Sequence, residues 1–448
     1  LEIDVSEASA PSLSRLVSRV LAGATDIRRG EGRAVLASGL LFFLVLAATM
    51  VLRPVREAMG LQKGIENVRT LFLYTVGVTL LLVPAFGYLV SRVPRRVFLA
   101  VSFHCCALIL LGFYLSLTVF PEHVARAAQQ IYYVYHSVFN LLVVSIFWAF
   151  MADLFSLSES KRLFPAIAVG GTLGAIGGSV ASWMICRLGS RLLPGRITAG
   201  WLFLLAMALL ELAVWAAALA AHTRAGSAGS AEARPIGGHA LAGFTALLQS
   251  PYLLAVALLI LTGAVVSTFF YFTGMRIVEA ATTSVDERTV LFAQINLWTQ
   301  VGTLVAQAFL AGRAMRLVGV GAALAALPLS AAAGFATLAA APVLAVYMVV
   351  NTTYRAVQRG IARPAQETLF TVLQRADKYK AKPLLDTVGF RAGDASGAQI
   401  ERLLAGLGLG LAGLALAVLP IALLWTALCL AVGAAQSRLA ARRPHVAL

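Results

Sequence analysis

AVLASGLLFFLVLAATMVL at residues 34–52, followed directly by RPVRE at 53–57, decides the fold class. Residues 34–52 carry no charge, and a helix needs about 20 apolar residues to cross the hydrocarbon of a bilayer. Comparable runs recur at 71–90, 97–120, 130–151, 162–185, 199–221, 250–272, 290–311, 317–338, 342–361, 384–401 and 408–434. The pattern predicts an all-α polytopic membrane protein of about twelve transmembrane helices. The run at 384–401 includes Asp386, Arg391 and Asp394, so a hydropathy window alone rejects it.

Composition agrees. Of the 448 residues, 60% are hydrophobic and 12% charged, against about 45–50% and about 25% in soluble domains. The formal net charge of +16 lies in short basic clusters between the apolar runs. That is the positive-inside pattern, so a lipid bilayer and not a nucleic acid is the expected partner. The clusters before 34, at Arg92, Arg95 and Arg96, at Lys161 and Arg162, at Arg313 and Arg316, at Lys378, Lys380 and Lys382, and after 434 share one side. Both termini are therefore expected in the cytoplasm, in a bacterial inner membrane. Arg187, Arg191 and Arg196 run against the rule. Cys105, Cys106, Cys186 and Cys429 show no metal-ligand or disulfide spacing, and no metal or cofactor is expected.

The chain divides into an N-terminal segment 1–33, a first half 34–222, a Gly-, Ala- and Ser-rich linker 223–249, a second half 250–434 and a tail 435–448. Leu13, Leu16, Val17, Val20 and Leu21 make an apolar stripe at helical spacing, predicting an interfacial helix. Residues 1–33 lack an apolar core, so no cleavable leader is expected. Gly170, Gly174 and Gly178 after Lys161 are echoed by Gly389, Gly393 and Gly397 after Lys380, at one constant separation. Glycine at every fourth position lets a neighbouring helix approach closely. The echo makes the two halves a repeat of six helices each.

Ionisable residues within spans are costly and are therefore functional candidates. Arg53 and Arg56 share a helix face if the helix survives Pro54, which is expected to break or kink it. Two guanidinium groups on one face make a fork for phosphate or carboxylate. The alternative is a stop signal at the membrane surface with snorkelling arginines. Lys380, Lys382 and Arg391 are candidate anion contacts from the second half. Glu57, Asp153, Asp386 and Asp394 are candidate ion-pair or gating groups, Asp394 being spaced to pair with Arg391. His136, Asn140, Gln294, Asn296 and Gln300 are candidate lining of a polar cavity. No Walker A, GxSxG or HExxH motif occurs, and no enzyme is expected.

Three segments carry a family resemblance: MVLRPVREAMG at 50–60, SIFWAFMADLF at 145–155 and ARPAQETLFTVLQRADKYKAKPLLDTVGFRAGDASGA at 362–398. They are similar to the nucleotide transporters, the ATP:ADP antiporters of intracellular bacteria and plastids with their bacterial homologues. The resemblance implies a major-facilitator-like fold of two six-helix halves and nucleotide exchange by alternating access. It places Arg56 at one cationic substrate contact and Lys380 or Lys382 at a second. Two acidic positions of the family fall on His136 and Ser267, so neither carboxylate is kept. A small anionic solute, nucleotide first, is the expected cargo of a monomer. A lipid or other amphiphile on the same fold, and a non-transporting scaffold or sensor, are the alternatives.

Overall fold

The computed structural model describes residues 28, 31–92, 95–192, 199–224, 247–309, 311–373, 381–382 and 384–442. The interfacial helix expected within 1–33, most of the linker 223–249, the end of the tail, and Lys380 lie outside the described residues.

Twelve long helical runs are described. In the first half they are α1 (Gly32–Gly60), α2 (Ile65–Arg92), α3 (Arg95–Thr118), α4 (Glu122–Leu154), α5 (Leu157–Leu192) and α6 (Gly200–His222). In the second they are α7 (Pro251–Ala281), α8 (Val285–Phe309), α9 (Ala311–Ala340), α10, α11 and α12 (Leu411–Arg442). α10 runs Leu344–Val357, passes through a π turn at Gln358–Ala362 and ends as Arg363–Thr368. α11 opens with a π turn at Leu385–Gly389 and continues as Phe390–Gly406. Among the described residues, nine helices are long and apolar enough to cross a membrane. The other three, α8, α10 and α11, carry polar residues that face the interior. Large apolar side chains such as Leu36, Leu81, Leu108 and Leu424 point outward, as lipid contact requires. The chain is an integral membrane protein with multiple spans.

Of the break or kink expected at Pro54, the break does not occur, and α1 is continuous from Gly32 to Gly60. The proline ring removes one backbone donor, but Val51, Leu52 and Val55 around it are fully buried, and that packing holds the helix through to Gly60. α12 runs past 434 to Arg442, through a stretch in which every residue but Ser437 is Ala, Gln, Arg or Leu, good helix formers. At the turn between α1 and α2, Gly64 takes φ 83°, a left-handed conformation that favours glycine.

The glycine echo has a direct structural meaning. A Cβ on Gly170, Gly174 or Gly178 would meet the carbonyl oxygens of Gly39, Phe43 or Ala47, so α5 lies backbone to backbone on α1. A Cβ on Gly393 or Gly397 would meet Leu261 and Ala264 or Val265 and Thr268, so α11 lies close on α7, whereas one on Gly389 would meet only side chains at 3.7 Å or more, so the third position of the echo is not a close approach. The cores follow these pairings. One apolar cluster is built from α1, α3, α4, α5 and α6. A second is built from α7 to α12, joined by Leu61, Val68, Leu71 and Tyr133 from the first half.

Candidate functional site

Polar residues from α1, α7, α8 and α10 converge on a cavity of about 50 Å³ between the two sets of helices. α1 contributes Arg53 and Glu57, and α7 contributes Tyr271. α8 contributes Asn296, Thr299 and Gln300, which share one helical face. α10 contributes Tyr347, Asn351, Arg355 and Arg359, one residue every fourth position. That repeat puts four side chains in a row along α10, and the row runs into the π turn. Single π turns inside α-helices are frequent at functional sites.

The charges around this cavity do not balance. Three guanidinium groups, Arg53, Arg355 and Arg359, and one carboxylate, Glu57, line it. Glu57 is already engaged: Arg56 Nη1 lies 2.7 Å from its Oε1, and Tyr271 donates to its Oε2 at 2.6 Å. Tyr133 and Tyr271 share a hydroxyl contact at 2.6 Å. Arg355 donates to Ser267 Oγ at 3.1 Å and to Gln358 Oε1 at 3.0 Å, both neutral acceptors. Arg359 donates to the Gln300 amide oxygen. Arg53 has no hydrogen-bond or ion-pair partner among the described residues.

The other sequence candidates fall elsewhere. Arg56 turns away from the cavity, with its Nε donating to the Tyr133 carbonyl at 3.2 Å and its guanidinium 3.9 Å from that ring's centre. The two-arginine fork expected on α1 is therefore not presented in this conformation, because one arginine is spent on Glu57. His136 is buried beside α1, with Nε2 3.3 Å from the Thr49 carbonyl. Asn140 and Asp153 lie exposed on α4, and Gln294 is on α8 away from the cavity lining, whereas Asn296 and Gln300 are part of it. Lys382 pairs with Glu367 at 2.5 Å, and Asp386 faces Arg363 at 3.8 Å. Arg391 and Asp394 form the expected i, i+3 pair at 3.1 Å. Lys382 with Glu367 and Arg391 with Asp394 thus pair outside the central cavity, whereas Asp386 stands farther from Arg363.

Beyond the cavity the first six helices are tied to the last six at the end where α1 meets α2. Arg69 of α2 reaches Glu401 of α11, which Arg276 of α7 also holds at 2.9 Å. Arg288 donates to the Leu61 carbonyl at 3.2 Å, and the Ala199 N–H to Asp286 Oδ1 at 3.1 Å. Sequence reading missed Arg69, Arg276 and Glu401 as partners across the molecule. The every-fourth spacing of Asn351, Arg355 and Arg359 is the signal that marks the cavity face of α10.

No protein-family model matches the chain, and no curated protein matches its sequence. Solved structures match its fold. The nucleoside transporter NupG superposes with a TM-score of 0.60 at 12% identity, over 91% of this chain and 99% of that one. An auto-inhibited peptide transporter of the POT family gives 0.59 at 14% identity, over 91% and 97%. A bacterial homologue of the human lysosomal transporter Spinster, inward-facing and unoccupied, gives 0.54 at 14%, over 93% and 98%. The chain has the fold of the major facilitator transporters over more than nine-tenths of its length.

Proposed function

We propose that the chain is a secondary transporter whose solute is an anion of two or more charges, a phosphorylated compound such as a nucleotide first. The observation that carries this reading is the set of three guanidinium groups around one cavity whose only lining carboxylate is already paired. A buried charge without a counter-charge costs several kcal/mol. Arg53, Arg355 and Arg359 are partly buried, and three guanidinium groups held around one cavity with no free carboxylate favour an anion, to whose phosphate or carboxylate geometry arginine is suited. The resemblance of residues 50–60 and 362–398 to nucleotide transporters supports a nucleotide. Ser267 supports an anion of whatever kind: a carboxylate there would neutralise Arg355, and the serine leaves its charge available.

Transport would follow from rocking of the halves, residues 34–222 and 250–434, about the cavity, with 223–249 as their link. The cavity is smaller than the roughly 300–1,000 Å³ of ligand pockets, so a nucleotide requires the halves to part. Both termini would face the cytoplasm of a bacterial cell.

The test is the thermal unfolding of purified protein with ATP, ADP or inorganic phosphate. A ligand that binds only the folded state stabilises it by about 2.7 kcal/mol at a hundred times its Kd. Arg53→Met is expected to abolish the ligand shift while raising the Tm of ligand-free protein, because it removes an unpartnered charge. An unresponsive wild type together with a destabilised Arg53→Met would sink the reading.

A further inference from the structure

A second, larger cavity of about 260 Å³ lies inside the last six helices. Its wall is mostly apolar: Leu259 and Ile260 of α7, Leu327 of α9, Phe390 of α11 and Trp425 of α12. Its polar rim comes from α10 alone, at Gln358, Arg359, Arg363 and Gln366. Arg359 lines this cavity and the central one, so the two adjoin at a guanidinium group carried on the π turn.

Three features of the cavity point to an occupant. The cavity is partly open, and it leaves a mostly apolar wall uncovered beside two arginines. Gly263 keeps the place for the Trp425 ring, since a Cβ there would stand 2.8 Å from it. Trp425 is 3% exposed, yet its indole N–H has no acceptor among the described residues. Buried tryptophans usually find one. Finally, Arg363 is 47% exposed, and its acidic neighbours Glu367 and Asp386 are both as far as 3.8 Å away, so its charge is loosely compensated at the wet end of an apolar space.

We infer that this cavity binds the hydrocarbon part of an amphipathic anion, with the charged head against Arg359 and Arg363. The inference rests on the anion reading of the central site and narrows its cargo to anions that carry an apolar body. Arg359 then works for both cavities: the head lies between them and the apolar body extends away from the arginine row.

The test compares octyl phosphate, inorganic phosphate and octyltrimethylammonium on the full chain in neutral phosphatidylcholine nanodiscs. Octyl phosphate is expected to bind about tenfold or more tightly than phosphate, because each buried methylene adds favourable transfer. Octyltrimethylammonium should gain nothing. Leu327→Phe and Ile260→Phe, which fill the cavity from different helices, should each remove the advantage of the octyl chain and leave the response to phosphate intact. Octyl phosphate brominated at its terminal carbon should quench a tryptophan signal that Trp425→Phe lacks. This readout does not depend on the filled variants folding. Equal binding of octyl phosphate and phosphate, an advantage that survives both filled variants, or quenching unchanged in Trp425→Phe would overturn the inference. Failure of the central-site reading looks different: phosphate gives no response, while octyl phosphate binds and is insensitive to Arg53→Met.

Discussion

Arg69 and Glu401 stand 332 positions apart in the chain, and Arg69 Nε donates to Glu401 Oε2 at 2.7 Å. Their exposures are 3% and 1%. Arg276 holds the other carboxylate oxygen from α7, and Glu66 approaches Arg69 from its own helix. The carboxylate is therefore shared by two guanidinium groups, one from each half. Breaking a buried pair by removing one partner typically costs about 3–5 kcal/mol, because the remaining charge is left without compensation. That cost falls only on the conformation in which the halves meet here.

Glu401→Gln is thus expected to shift the population toward opening at this end. Spin labels at Gln62 and Thr283, both exposed and next in sequence to Leu61 and Thr282, which Arg288 joins, would report it as a longer distance component. An unchanged distance distribution would mean that Arg288, Asp286 and apolar packing hold the halves without the pair.

Ser267→Asp places a carboxylate where Arg355 now meets a hydroxyl at 3.1 Å. An acid at that distance neutralises one of the three guanidinium groups around the cavity. Affinity for a multivalent anion should fall by about tenfold or more, which corresponds to about 1.4 kcal/mol. Calorimetric titration of wild type and variant checks this, and Ser267→Asn, isosteric but neutral, should bind nearly as wild type does.

Much of the architecture was legible because apolar length and glycine spacing are local signals. The run at 384–401 shows how far this goes: hydropathy rejects it, yet Gly393 and Gly397 mark the face that packs on α7. Side-chain choice was less legible. Arg53 and Arg56 are equivalent by spacing, and the contacts with Glu57 and with Tyr133 of α4 decide that Arg56 turns aside. Pro54 reads as a breaker because the rule is local, whereas the burial that keeps α1 continuous comes from packing against other helices. The Arg69–Glu401 contact joins α2 to α11, and no pattern in either helix names the other.

Glu159, at the start of α5, accepts from Arg224 Nη2 at 2.6 Å and from Ser156. These bonds, Arg224 first, hold its carboxyl down at about 2, from an ordinary value of 4.5. A carboxyl lowered on folding stabilises the protein above its unfolded value, and the contribution is lost as pH falls through the folded one. The Tm difference between wild type and Glu159→Gln should therefore be steady above about pH 5 and shrink progressively as pH is lowered toward 2. A difference independent of pH across that window would assign the effect to hydrogen bonding alone.

Gly174 and Gly177 sit one turn apart on α5 and should respond oppositely to alanine. A Cβ at Gly174 runs into the backbone of Phe43, which cannot move without displacing α1. A Cβ at Gly177 meets only the Phe43 ring, at 3.5 Å, an ordinary van der Waals contact. Overpacking a tight interface costs about 1–3 kcal/mol, whereas replacing an unneeded helical glycine gains up to about 1 kcal/mol. Gly174→Ala should lower the Tm and Gly177→Ala should leave it unchanged or raise it. Thermal unfolding of both variants reads the result directly. Equal tolerance at the two positions would show that α1 and α5 are not held backbone to backbone, and with that the glycine echo between the halves would lose its structural meaning.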